Sequence, residues 1–207
     1  MIGLDELLQA AAALEASLHR RGWQFCFIGG VAVQRWGIPR FTQDIDLTLL
    51  TGFGDEEKFV DALLEELKPR RADAREFALS RRVLLAQTHE GVDVDIALGA
   101  LPFEARAIAR ASAWQIRDGV TLTTCSAEDL LVHKTFAGRD LDWSDVERVL
   151  TRQHGKLNFK QIRAELEPLL ELKGAPESLD KLERMITTVE RRLKVTPQTQ
   201  DPPKECE

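Results

Sequence analysis

Apolar residues at positions 4, 7, 8, 11, 14 and 18 recur at the i, i+3, i+4, i+7 spacing of a helix with one buried face, so 4–18 is expected to be an amphipathic helix. Phe25-Cys26-Phe27-Ile28 is a run of four apolar residues, too short for a helix and rich in strand formers, as a buried strand would be. Gly29-Gly30 ends it, and a short helix is expected over 31–36, with the glycines in its first turn and Gly37-Ile38-Pro39 as its stop. Residues 44–50, DIDLTLL, alternate: Ile45, Leu47 and Leu49 fall on one strand face and Asp44, Asp46 and Thr48 on the other. Two carboxylates therefore point the same way. After a loop at Gly52 and Gly54, a helix is expected over 56–67, closing at Lys68-Pro69. Two strands follow, 82–87 and 92–98, joined by a hairpin turn at Thr88-His89-Glu90-Gly91; the second again carries paired acids, Asp93 and Asp95. Residues 102–112 read as a helix opened by Pro102, and 114–123, interrupted at Asp118-Gly119, as a last short hairpin.

From Ser126 onward the pattern is helical. Ser126 with Asp129 three residues on resembles an N-cap, Ser144 precedes DVERVL, and Asn158 with Gln161 matches a capping box. A last helix carries apolar residues at 179, 182, 186, 189 and 193. The expected fold class is α/β: a small mixed β-sheet with flanking helices over 1–124, followed by an α-helical C-terminal subdomain over 125–195. Residues 196–207 hold three prolines and no apolar residue but Cys206, the composition of a disordered tail.

Composition narrows the partners. A chain of 207 residues with 43% hydrophobic residues has ample material for a core, and its net charge of −6 excludes coating nucleic acid by bulk charge alone. The longest stretch without a charge, Gly22 to Gln34, is far below the ~20 apolar residues of a membrane span. Asp5 and Glu6 stand where a signal peptide would carry basic residues, so a cytoplasmic protein is expected, without membrane contact. Cys26, Cys125 and Cys206 are scattered and odd in number, which fits neither a disulfide framework nor a zinc finger. Between Lys68 and Arg82, six basic residues stand against two acidic ones. That segment reads either as a solvated helix and edge strand with outward arginines or as a phosphate-facing patch.

The sharpest constellation is Ile28-Gly29-Gly30, a gap of 13 residues, Asp44-Ile45-Asp46-Leu47, and later Val94-Asp95-Ile96. Glycines after a strand let the backbone approach a phosphate, and the next helix offers its N–H groups. Two acids on one strand face with a third on a neighbouring strand make a set of hard oxygen ligands of the kind Mg²⁺ takes. Held together without a cation, such acids repel one another.

The run FIGGVAVQRWGIPRFTQDIDL resembles the signature of the DNA polymerase β-like nucleotidyltransferase superfamily, and within it is most similar to bacterial AbiEii-type toxins and minimal nucleotidyltransferases. RFTQDID fits their Arg-x-Thr-x-Asp-hydrophobic-Asp pattern, VDVDIALGALPFEARAIARA the third-acid strand and its helix, and LLVHKTFAGRDLDWSDVERVL a Lys-x-x-Ala-x-Arg-x-x-Asp-Trp-x-Asp segment. The resemblance spans about 25–170. It implies transfer of a nucleoside monophosphate from an NTP to an acceptor hydroxyl, with release of pyrophosphate. Gly29 and Gly30 would hold phosphates. Asp44, Asp46 and Asp95 would bind two Mg²⁺ ions, Asp95 also helping to deprotonate the acceptor; Asp93 is the alternative third acid, disfavoured by its spacing to Pro102-Phe103-Glu104. Arg40 and Thr42 read either as a polar loop or as contacts to the triphosphate, and Lys134 as a phosphate contact or a helix-surface lysine. Asp142 and Asp145 read as helix-capping, first-turn acids ahead of metal ligands, and His133 as a plain helix residue. The implied acceptor is tRNA or protein, with a cognate antitoxin as partner; a small-molecule, antibiotic-type acceptor and an inactive nucleotide- or partner-binding module are the alternatives.

Overall fold

The structure is a computed structural model that describes residues 3–195, so the expected disordered tail lies outside the described residues. In chain order the elements are α1 (Leu4–Arg20), β1 (Phe25–Phe27), α2 (Gly29–Trp36), β2 (Asp44–Leu50), α3 (Glu56–Glu66), β3 (Lys68–Pro69), α4 (Ala74–Arg81), β4 (Val83–Gln87), β5 (Asp93–Gly99), α5 (Pro102–Ala109), β6 (Ser112–Arg117), β7 (Val120–Thr124), α6 (Ala127–Ala137), α7 (Asp140–Arg152), α8 (Phe159–Lys173) and α9 (Glu177–Val195). Among the described residues the strands form one sheet in the order β3-β4-β5-β2-β1-β7-β6. It is mixed, as expected: β2 runs antiparallel to β1 and parallel to β5, and β1 runs parallel to β7.

Strand alternation decides what each face of the sheet meets. Phe25, Phe27, Ile45, Leu47, Leu49, Val94 and Ile96 point to one side and pack with α1, α3 and α4 into a first core. On the other side Cys26 joins a second core, made with α2, α5 and the C-terminal helices. The acid face of β2 and β5 lies on that second side. Cys26 and Cys125 are buried free thiols, and burial pushes the Cys26 thiol up to about 12. No helix among the described residues is long and apolar enough to cross a membrane.

The basic segment after α3 does hold a helix and an edge strand, in reverse order: the two-residue strand comes first, where Pro69 fits because an edge tolerates a missing N–H, and the helix α4 follows. Three local expectations are corrected. Arg82, expected to open a strand, instead ends α4 in the left-handed conformation, at φ 57°. Its guanidinium donates to the carbonyls of Leu98 and Gly52 and to Glu56, a set of partners that holds an L-residue in that region. The helix opened by Pro102 stops at Ala109, because Ser112 and Ala113 pair with Thr124 and Thr123 in the β6–β7 ladder. Ser144 lies inside α7 and caps nothing: the helix starts at Asp140, and the carboxylate of Asp142 accepts the Arg139 backbone N–H at 3.2 Å. By contrast Ser126 caps α6 by accepting from the Asp129 N–H at 3.0 Å, and Asn158 caps α8 by accepting from that of Gln161 at 3.1 Å.

Candidate active site

Pairing of the two central parallel strands sets the acids. In the β2–β5 register Asp44 stands opposite Asp93 and Asp46 opposite Asp95, so all four carboxylates emerge from one face at adjoining positions. The pleat dictates this: with a period of two, a strand that puts Ile45, Leu47 and Leu49 into the core must put Asp44 and Asp46 on the other side. Partial burial pushes the Asp46 carboxyl up to about 6, helped by the charges of Asp44 and Asp95 and opposed by Lys134 and the Gly30 N–H. Burial also raises Asp95; the charge of Arg70 works against that rise, and Asp44 and Asp93 add to it.

Glycine is required where the strand–helix turn meets these acids. Gly29 has φ +55°, and a Cβ there would stand 1.9 Å from Oδ2 of Asp46. A Cβ on Gly30 would stand 2.1 Å from Oγ1 of Thr42, which is 4% exposed. The Gly30 N–H, in the first turn of α2, donates to Oδ2 of Asp46 at 3.3 Å, and Thr42 donates to Oδ1 of Asp44 at 3.1 Å. The Gly-Gly pair thus brings a helix N-terminus against the acid strand while Thr42 steadies Asp44. Gly29→Ala is expected to cost about 2–3 kcal/mol, combining a left-handed backbone with a steric clash; unchanged urea denaturation would show that Asp46 does not need this space.

The opposite wall is basic and comes from the helical C-terminal part together with Arg40, in the loop before β2. Lys134 is 6% exposed and lies 3.1 Å from Oδ1 of Asp142 and 2.8 Å from Oδ2 of Asp145. Arg40 grips the same Asp145 with two bonds, at 2.6 and 2.8 Å, and Arg139 holds Asp142 at 2.7 Å. Burial alone would raise Asp145, but hydrogen bonds from Arg40 and Lys134 and their charges outweigh it and hold the carboxyl below its ordinary value. The same balance, led on the favourable side by Arg139, lowers Asp142. Asp142 caps α7, as expected, but Asp145 lies beyond the first turn and caps nothing; the larger effect of both acids is to fix three cations. Those cations face the strand acids: Asp44 and Asp46 act electrostatically on Arg40 and on Arg139, and Lys134 acts on Asp46. Arg40 commits only three of its five N–H donors, two to Asp145 and one to the Phe41 carbonyl at 2.9 Å, and so tethers the loop while keeping donors in hand.

All eight residues singled out in the sequence therefore fall in two facing groups: Gly29, Gly30, Thr42, Asp44, Asp46 and Asp95 on one side, Arg40 and Lys134 on the other. The sequence put Arg70 among the six cations of the basic segment but not at the site, where it donates to Asp93 at 2.8 Å and also to Asp95. Nothing local signals it, because it precedes those acids by 23 and 25 residues. Three other arginines of the basic segment are paired with carboxylates: Arg71 with Asp73, Arg75 with Asp61 and Glu57, and Arg82 with Glu56. As a donor set, carboxylates at adjoining positions on a half-buried face suit a hard divalent cation. Among the described residues, however, no three His, Cys, Asp or Glu side chains are gathered as one ligand set.

Known proteins resemble this chain in fold and in sequence. Among solved structures, a nucleotidyltransferase-like protein from Paracoccidioides brasiliensis superposes with a TM-score of 0.54 at 17% identity, over 88% of this chain and 94% of its own, and shares the fold. ANT(2")-Ia in complex with adenylyl-2"-tobramycin covers 90% of this chain and 98% of its own at 16% identity, with a TM-score of 0.45. No curated protein matches. The sequence model of the family described as "Nucleotidyl transferase AbiEii toxin, Type IV TA system" matches residues 12–201. With that match over nearly the whole length and a nucleotidyltransferase fold beneath it, the chain belongs to the AbiEii nucleotidyltransferase toxin family.

Proposed function

We propose that this nucleotidyltransferase moves a nucleoside monophosphate from an NTP to an acceptor hydroxyl in a Mg²⁺-dependent reaction, releasing pyrophosphate. The observation that carries the reading is the register of β2 on β5, which sets Asp46 beside Asp95 with Asp44 on the same face, opposite the Lys134–Arg40 wall. Asp44, Asp46 and Asp95 would hold the metal, two ions in all. Bound there, Mg²⁺ would stabilise charge on the attacking and leaving oxygens of an in-line displacement. The chain's own groups do the rest. The N–H groups of the first turn of α2 face the β- and γ-phosphates across Gly29 and Gly30, Lys134 and the spare donors of Arg40 neutralise the triphosphate, and Thr42 keeps Asp44 turned toward the site. The acceptor oxygen attacks the α-phosphorus, its proton passes to Asp95, and the bond to the β-phosphate oxygen breaks. Asp95 suits this role better than Asp93, whose oxygens are each engaged, by Gln87 at 2.9 Å and Arg70 at 2.8 Å.

The acceptor in this reading is a hydroxyl of tRNA or protein, and the family's toxin-antitoxin description supports an antitoxin as the cognate partner. The experiment is incubation with α-labelled NTPs and Mg²⁺ in the presence of tRNA, of cellular protein and, separately, of aminoglycosides. Label transfer with stoichiometric pyrophosphate supports the reading and identifies the acceptor. NTP binding that is indifferent to divalent metal, with no transfer to any acceptor, would instead support an inactive binding module.

Acidity should test Asp46. A carboxyl at about 6 is protonated below that pH and then a poor metal ligand, so activity at fixed low Mg²⁺ is expected to fall as pH drops through 6, and higher Mg²⁺ is expected to move the fall to lower pH. Between its ordinary value of 3.8 and 6 the folded protein binds the extra proton, so the Asp46 contribution to stability decreases as pH rises across that window. A pH–activity profile independent of Mg²⁺ concentration would detach Asp46 from the metal.

A further inference from the structure

Arg70 follows the edge strand β3, and its backbone N–H donates to the Leu85 carbonyl at 3.2 Å, which pins its Cα beside β4. From there its side chain reaches across β4 to β5. One nitrogen donates to Oδ2 of Asp93 at 2.8 Å, the other to Oδ1 of Asp95, and Gln87 on β4 donates to the remaining oxygen of Asp93 at 2.9 Å. Asp93 thus carries a hydrogen bond on each oxygen. Of the arginines between Lys68 and Arg82 with an ion pair on a named acid, the others take theirs from α3 or the start of α4, at Glu56, Glu57, Asp61 and Asp73. Arg70 alone among them spans to the acids of the candidate site.

A guanidinium lodged between Asp93 and Asp95 neutralises in the free protein what a metal ion would neutralise in the loaded one. It also occupies Oδ1 of Asp95, the strand position opposite Asp46. A divalent cation and a guanidinium compete for that oxygen, and two positive groups on one carboxylate repel each other. We infer that Arg70 is the resident counter-ion of Asp95, and that a divalent cation binding across Asp44, Asp46 and Asp95 displaces it from that carboxylate while Asp93 retains it. This rests on the metal-dependent reading above. Arg70 is then a positioning residue: it keeps the third acid from joining the other two until a cation arrives, at the cost of a weaker apparent affinity for the metal.

The test is a titration of the full-length protein with Mn²⁺, without nucleotide, reading free ion by electron paramagnetic resonance. Arg70→Met and Arg70→Gln are expected to bind Mn²⁺ about three- to fivefold more tightly than the unmodified protein, the upper part of the range opposed by a partly exposed ion pair. Arg71→Gln removes the same charge from the same surface but from Asp73, and is expected to leave the affinity within about twofold. Unchanged or weaker binding in both Arg70 variants, or equal tightening in Arg71→Gln, overturns the inference. Saturable binding lost in Asp46→Asn but unaltered by Arg70→Met sinks the Arg70 inference alone, whereas absence of saturable binding in every protein sinks the metal-dependent reading with it. Thermal melts confirm that each variant is folded before its affinity is read.

Discussion

Asp46→Asn is expected to lower Mg²⁺-dependent nucleotidyl transfer by about 10³-fold or more while leaving the protein as stable as before, or stabler. The loss follows from the charge: an amide has nearly the shape of the carboxylate but cannot act as an anionic ligand, and charge clamps on phosphoryl groups are worth ~10³–10⁵. The stability follows from the same site. Asp46 is ionised at neutral pH only against burial and the repulsion of Asp44 and Asp95, which is why its carboxyl is raised to about 6. Asparagine removes that repulsion and keeps an oxygen for the Gly30 N–H, so a gain of about 1–2 kcal/mol is expected, part of the ~1.4 kcal/mol per pKa unit set by linkage. Transfer of α-label and urea denaturation read the two arms. A variant that loses activity because it has unfolded, or one that keeps full activity, would contradict the assignment.

Lys134→Met is expected to do the reverse and damage the protein itself. Asp142 and Asp145 are 1% and 0% exposed, and Lys134 bridges them. Removing one partner of a buried ion cluster leaves uncompensated charge, typically a loss of about 3–5 kcal/mol. Arg40 and Arg139 remain, so the lower end, about 3 kcal/mol, is expected, or roughly 6–12 °C in melting temperature for a protein of this size. The pH dependence carries a sign as well. Asp142 and Asp145 sit below their ordinary values, so they contribute stability at neutral pH that is lost as pH falls through the folded-state values. Without Lys134 those values rise, and acid unfolding is expected to begin at higher pH. A variant with unaltered melting temperature and unaltered acid limb would show that the cation cluster is not what joins α6 to α7.

Most of the frame was legible because it depends on short-range periodicity. The spacing of Leu4 to Leu18 and the alternation of Asp44 to Leu50 correspond to α1 and β2, and Ser126 caps α6 as its side chain suggests. The candidate acids were legible for the same reason: a strand that buries every second residue displays the others together, and the family resemblance singled them out. The misread pieces are those that neighbours far along the chain decide. Ser144 is a good capping residue in the wrong place, overridden because Asp142 accepts the Arg139 N–H two residues earlier. Arg82 departs from its expected strand because three partners from other segments hold it in the left-handed region. The carboxylates on α3 that Arg75 and Arg82 of the basic segment meet were likewise out of view along the chain.

The order of residues alone therefore carries the elements, the alternation that puts Asp44 and Asp46 on one face, and the glycines that let a helix end approach them, since each depends on spacings of a few residues and on the steric freedom of single positions. Only the tertiary structure decides that Asp46 stands beside Asp95, that Arg40 reaches an acid 105 residues away to build the basic wall, and that Arg70 holds the third carboxylate. The physical reason is that strand register and buried ion pairs are settled by which surfaces the core brings together, and no local pattern of residues encodes that meeting.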